Sequence, residues 1–122
     1  MRNKMPIDAT ILWEFEGQED WLTRARVDSF EDFERRWMPG CEALGLRIIP
    51  MFYSAGFTVG KNVEKANGVL DDVLNELEQL KAWIISSNLS VEDIEYMKST
   101  IDNLSNYLKQ MIEKGNNVLI GC

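Results

Sequence analysis

Carboxylates are the side chains of this chain most able to do chemistry, and they outnumber the basic side chains by 20 to 13. They are concentrated in three groups. The groups are Glu14, Glu16, Glu19 and Asp20, then Asp71, Asp72, Glu76 and Glu78, then Glu92, Asp93 and Glu95. Paired carboxylates catalyse proton transfer when burial separates their pKa values. No feature of the pattern indicates such burial, so we interpret the groups as solvated surfaces.

Nucleophilic and metal chemistry is restricted by the absence of histidine and by the presence of only two cysteines. Without histidine, the chain has neither a Ser–His–Asp nor a Cys–His arrangement. Two cysteines are too few for a structural zinc site, and no alternating run of acids forms a calcium loop. We therefore expect no enzyme activity, no cofactor and no metal. Cys41 and Cys122 are predicted to be free thiols, and a redox role for either stays open.

A glycine-flanked segment from Gly56 to Asn62 resembles a phosphate-binding loop. Its glycines are separated by three residues, whereas the phosphate loop has four, and Asn62 replaces the Ser or Thr that binds magnesium. We interpret the segment as a turn with Asn62 as the N-cap of the following helix.

Trp21 is the tryptophan that we expect to be most exposed. It directly follows the polar turn and lies beside Glu19 and Asp20. The other three tryptophans fall on apolar stripes and are predicted to be core residues: Trp13, Trp37 and Trp83. Aromatic side chains surrounded by charge are common anchors of protein interfaces.

The net charge of −7 bears on the kind of partner. An acidic field repels nucleic acid and attracts basic proteins. Arginines are confined to the first 47 residues, where acidic neighbours favour surface ion pairs over a phosphate site. They interleave with Glu31, Asp32 and Glu34. The candidate partner-binding residues are the acidic turn, which comprises Glu14, Glu16, Glu19, Asp20 and Trp21, and the first long helix, which carries Asp71, Asp72 and Glu76.

The first half of the chain shows mainly strand patterns. Residues 7–15 and 21–27 alternate apolar and polar side chains and predict a β-hairpin. Ser29 and Asp32 form a capping pattern before a short helix at about residues 30–38, which Pro39 and Gly40 should end or kink. The pattern over residues 46–53 predicts a strand that lies at an edge of the sheet or is bulged near Pro50. Residues 57–59 fit either a strand or the start of the next helix.

The second half predicts a helical hairpin over residues 62–114. Two stripes of apolar residues step by three and four, one from Val63 to Ile84 and one from Ile94 to Met111. Ser90 with Asp93 should cap the second helix, and Gly115 should terminate it. The four-residue linker predicts that the helices pack antiparallel within one chain. Residues 118–120 are suited to a final strand.

These elements predict one α+β domain over residues 1–122. A small antiparallel sheet, formed by the N-terminal hairpin and one or two further strands, should pack against the short helix and the long C-terminal antiparallel helical hairpin. The longest uncharged run has 13 residues, too short to span a bilayer, and no secretory signal is visible. We therefore expect a cytoplasmic protein that binds neither membrane nor nucleic acid, as a monomer or weak homodimer.

In outline the chain resembles the immunity proteins of bacterial polymorphic-toxin and contact-dependent inhibition systems. The resemblance is carried by the strand at residues 7–15, the acidic balance, and the helix written Val73-Leu74-Asn75-Glu76-Leu77-Glu78-Gln79-Leu80. It implies a small cytosolic α+β protein that neutralises a cognate toxin by binding it. The alternatives are a phage-encoded inhibitor that mimics nucleic acid, an adaptor or assembly factor acting through the helical hairpin, and an enzyme that uses carboxylates alone.

The absence of metal-binding and nucleotide-binding patterns gives a direct prediction. Titration with Zn²⁺, Mg²⁺, ATP or GTP should produce no heat of binding in isothermal titration calorimetry. Micromolar affinity for a nucleotide would instead identify the segment from Gly56 to Asn62 as a phosphate site and count against a purely inhibitory role.

Overall fold

The computed structural model describes residues 6–11, 24–53, 57–61 and 67–121. Within these residues, five strands, four α-helices and one 3-10 helix are present. The bounds are β1 Pro6–Ile11, β2 Arg24–Ser29, α1 Phe30–Arg36, α2 Met38–Leu44, the 3-10 helix Ile49–Tyr53, β3 Phe57–Gly60, β4 Gly68–Val69, α3 Leu70–Ile85, α4 Val91–Glu113 and β5 Val118–Gly121. The acidic turn, Trp13 and Cys122 lie outside the described residues.

The strands form one sheet in the order β2-β1-β5-β3-β4. The predicted hairpin of β1 with β2 is confirmed, and β5 is the predicted final strand, inserted antiparallel between β1 and β3. The sheet is mixed, whereas a wholly antiparallel one was predicted, because β4 runs parallel to β3. Gly68 permits this close pairing, since a Cβ there would lie 2.8 Å from the Phe57 ring.

The core lies between the sheet and the helices. One face of the sheet is apolar and buried, in keeping with the alternation in the sequence. Its buried residues are Ile7, Ala9, Ala25, Val27, Phe57, Val59, Val118 and Ile120. Residues 57–60 form strand β3, which decides between the two alternatives for residues 57–59. The interpretation of the segment from Gly56 to Asn62 as a turn is therefore wrong for these residues.

Helices α3 and α4 form the predicted hairpin. Both apolar stripes are buried along most of their length, with Val73, Leu77, Leu80 and Ile84 on α3 and Met97, Ile101, Leu104 and Leu108 on α4. Lys81 on α3 and Asp102 on α4 form an ion pair at 2.7 Å. The predicted caps are present: the Ser90 hydroxyl accepts the Asp93 backbone N–H at 3.1 Å, and Gly115 follows the helix with φ +92°.

The helical hairpin begins later than predicted, because residues 67–69 are described and are not helical. Helix α3 begins at Leu70, and Gly68–Val69 form strand β4. Residues 62–66, including the predicted N-cap Asn62, lie outside the described residues. The prediction extended the helix across Asn67 and Gly68 because Val63 and Ala66 have helical spacing. A glycine inside a helical pattern, however, favours an interruption.

Two further predictions need correction in the segment that follows β2. The predicted short helix is present as α1 and ends at Arg36, close to the predicted interruption, but Pro39 and Gly40 belong to a second helix, α2. Pro39 lies in the first turn of α2, where its missing N–H costs no hydrogen bond. Residues 46–53 were predicted to be a strand, but Ile49–Tyr53 form a 3-10 helix. Its three-residue repeat places Ile49 and Phe52 together in the core.

The hairpin seam generates a stability prediction. Leu77 and Ile101 are both fully buried. Replacing either by Asp places an unpaired charge in the core, which should lower the free energy of unfolding by roughly 3–5 kcal/mol. Urea or guanidinium titrations measure this change. The control is Gln79→Asp, an exposed position on the same helix, which should change stability by less than about 0.5 kcal/mol. Unchanged midpoints for both core variants would contradict the seam.

Candidate partner-binding site

The acidic surface of α3 is the part of the predicted binding site that the structure describes. Asp71 and Asp72 occupy the first turn of α3, and Glu78 lies about two turns further on. All three side chains are exposed. Among the described residues, none of the three forms an ion pair within 4 Å, although the charge of Glu78 is one of the causes that raise the pKa of Lys81. Their negative charge therefore faces solvent from a helix whose opposite side is fixed in the core.

Glu76 differs from these three carboxylates, because the fold already uses it. Its carboxylate accepts the backbone N–H groups of Arg47, Ile48 and Ile49 at 3.2, 2.9 and 3.1 Å. These three N–H groups lie at the start of the 3-10 helix and just before it, where backbone N–H groups have no helical partner. Glu76 consequently ties the chain that follows α2 to α3. We expect it to act by positioning this surface.

A shallow pocket of about 270 Å³ lies beside the Glu76 carboxylate. Its lining comes from α3, from the end of α2 and from the chain that follows α2, and it includes Leu44, Arg47, Asp72, Asn75, Glu76 and Gln79. The pocket therefore combines two carboxylates, two amides and an apolar side chain with the guanidinium of Arg47.

Asp28 is a buried carboxylate that the sequence pattern did not reveal. A bulge in β2 leaves Val27 without an opposite residue, because Ile7 pairs with Asp28 while Asp8 pairs with Arg26. The bulge turns Asp28 inward, and the residue is only 3% exposed. Its two oxygens accept the Ser29 backbone N–H at 2.8 Å and the Trp37 indole N–H at 3.0 Å.

Arg36 of α1 connects Asp28 to α4, and Arg35 adds a second contact between α1 and α4. Arg36 lies 3.5 Å from Asp28 and 3.1 Å from Asp93, and its guanidinium lies over the Tyr96 ring. Arg35 donates to Asp93 at 2.8 Å. Burial raises the pKa of Asp28, whereas the Arg35 hydrogen bond is the main cause that lowers the pKa of Asp93. Ion pairing of these arginines with Asp32 agrees with the sequence interpretation, but the longer-range partner Asp93 was missed.

Metal-binding and thiol chemistry, and the possibility of a membrane-spanning helix, can be examined within the described residues. No group of three or more potential metal ligands occurs among them. Cys41 is a buried free thiol, and burial raises its pKa to about 12, which keeps it protonated and unreactive at neutral pH. None of the described helices combines the length and apolar character needed to cross a membrane.

The other half of the predicted site, the acidic turn with Trp21, lies outside the described residues. In the sequence these residues lie between β1 and β2. The structure thus describes Asp71, Asp72 and Glu76 of the predicted site, and their proximity to the acidic turn stays a prediction. Comparison of the chain with protein families, curated proteins and solved structures finds no match.

The buried Asp28 gives a prediction about pH. Its folded pKa is raised above the ordinary value of 3.8, so the folded state holds this proton more tightly than the unfolded state. The stability due to this group is therefore fully present below about pH 3.8 and is lost as pH rises through the folded pKa. Relative to Asp28→Asn, the wild-type free energy of unfolding should fall across that window and then level off.

Urea titrations of both proteins at several pH values measure this difference. Subtracting the Asp28→Asn curve removes contributions common to both proteins, including that of Asp93. A difference that rises with pH would mean that the ion pair with Arg36 outweighs burial, and would contradict the prediction.

Proposed function

We propose that this protein is a non-enzymatic inhibitor of the immunity-protein type, which binds a basic protein partner such as a toxin domain through an acidic surface. The observation that carries the proposal is the exposed charge of Asp71, Asp72 and Glu78 on one rigid helix. In contrast, the carboxylates of Asp28 and Glu76 are used by the fold. The surface acids are the ones left for an external partner.

The electrostatics support fast and selective binding of such a partner. A domain that acts on nucleic acid needs a basic surface to hold phosphates, and an acidic inhibitor is steered toward that surface. Steering mainly accelerates association, while desolvated aromatic anchors mainly slow dissociation. We therefore expect Asp71 and Asp72 to accelerate association with the partner. We expect Trp21, within the acidic turn, to slow dissociation.

Partner capture tests this proposal. The full chain is used as bait in native lysate at low salt, beside a bait carrying Asp71→Lys and Asp72→Lys. The wild-type bait should retain a basic protein that elutes as salt rises, and the charge-reversed bait should lose it. A toxin gene adjacent to this one would identify the same partner independently.

Rate measurements with the captured partner separate the two contributions. The Asp71→Lys and Asp72→Lys pair should slow association by about tenfold or more and weaken its salt dependence. Trp21→Ala should mainly accelerate dissociation.

The matched control reverses two exposed acids on the other helix, Glu92→Lys and Glu113→Lys, which changes the net charge equally. Capture of an acidic partner, or equal effects of both double substitutions, would contradict binding at this surface.

A further inference from the structure

A second surface lies between the edge strand β2 and helix α4, where a groove of about 790 Å³ is open to solvent. β2 contributes Ala25 and Arg26, and α4 contributes the remaining lining. Four exposed, uncharged residues of α4 recur along it at helical spacing: Ser99, Asn103, Asn106 and Gln110. The row has steps of four, three and four residues, as the apolar stripes do, and so occupies one face of the helix.

The opposite wall of the groove is the outer edge of β2. Among the described strands, β2 pairs only with β1. An edge strand leaves alternate backbone N–H and C=O groups without a ladder partner. Beside the groove, the carbonyl of the bulge residue Val27 accepts the Tyr96 hydroxyl at 3.5 Å. The adjoining stretch of β2 at Ala25 and Arg26 lines the groove.

We propose that this groove binds an extended, uncharged peptide segment, which adds to the edge of β2 and is held from the other side by the row on α4. This recognition mode supplies backbone hydrogen bonds from the strand and side-chain selectivity from the helix. An amide side chain has both a donor and an acceptor, so Asn103 and Asn106 match the N–H and C=O of a peptide group.

The row on α4 is long enough for a short extended segment. Ser99 and Gln110 are eleven positions apart on α4, which corresponds to roughly 16 Å along the helix axis. An extended chain advances about 3.3 Å per residue, so about five residues span the row.

The charge balance of the groove selects the kind of peptide. Its charged lining residues are Arg26 and Glu95, which sum to zero in a chain of net charge −7. Each is already paired, Arg26 with Asp8 at 2.8 Å and Glu95 with Lys98 at 3.9 Å. A charged segment therefore finds no unpaired counter-charge among the described lining residues, while a neutral one keeps its hydrogen bonds. This site is independent of the acidic surface on α3.

Peptide selection tests the proposal. The full chain is panned against a phage-displayed library of random peptides about eight residues long, the length of a typical strand with flanks. The selected peptides should lack charged residues at their central positions. Their affinity is then measured by fluorescence anisotropy with synthetic copies.

A matched pair of variants locates the site. Asn103→Arg removes one amide and fills the groove, and should weaken binding by about tenfold or more. Asn88→Arg makes the same substitution at an exposed position of the linker between α3 and α4, and it should leave affinity within about twofold. Circular dichroism and thermal unfolding verify that both variants fold, and Ser99→Trp replaces Asn103→Arg if that variant does not. Hydrogen exchange at Arg24–Arg26 should slow when peptide is bound.

Three results would overturn the proposal. One is that no peptide is selected, and another is that selected peptides bind the groove variant as tightly as the wild type. The third is a wild-type dimer in sedimentation that Asn103→Arg dissociates, because the groove would then be covered by a second copy of the chain. The charge-reversed α3 variants test binding of the basic partner, whereas the groove variants test binding of the peptide. Either proposal can therefore fail while the other stands.

Discussion

The packing of the first half of this protein depends on one buried hydrogen bond, from the indole of Trp37 to the carboxylate of Asp28. Trp37 is fully buried, and a buried indole N–H without a partner would cost roughly 1–3 kcal/mol. Asp28 can reach it because the bulge at Val27 turns its side chain inward. The indole in turn fixes the junction between α1 and α2, since Trp37 is the residue at which the two helices meet.

The same carboxylate extends the network to the helical hairpin. Arg36 is attracted to Asp28 and to Asp93, so α1 is held between β2 and the first turn of α4. Glu76 makes a comparable connection on the other side of the core, where it holds the start of the 3-10 helix against α3. In both places an acidic residue supplies structure, which is why the net charge alone overstates the acidity available to a partner.

Sequence periodicity predicted the parts of the fold that local rules determine. The apolar stripes of α3 and α4, the caps at Ser29 and Ser90, and the alternation in β1 all follow from spacing within one element. The bulge in β2 and the parallel β4 were not predictable in this way, because both depend on pairing with a distant strand. The role of Glu76 was missed for the same reason: its partners are backbone groups nearly thirty positions earlier.

The helical hairpin presents two surfaces with different physical demands. Long-range attraction requires exposed charge, which α3 shows at Asp71 and Asp72. Short-range recognition of a peptide backbone requires accessible hydrogen-bonding groups in a neutral setting, and the amides of Asn103 and Asn106 are exposed beside the edge of β2. Salt distinguishes the two, because screening weakens attraction between exposed charges and leaves neutral hydrogen bonds largely unaffected. A ligand of α3 should therefore bind less tightly as salt rises, whereas a ligand of the α4 groove should not.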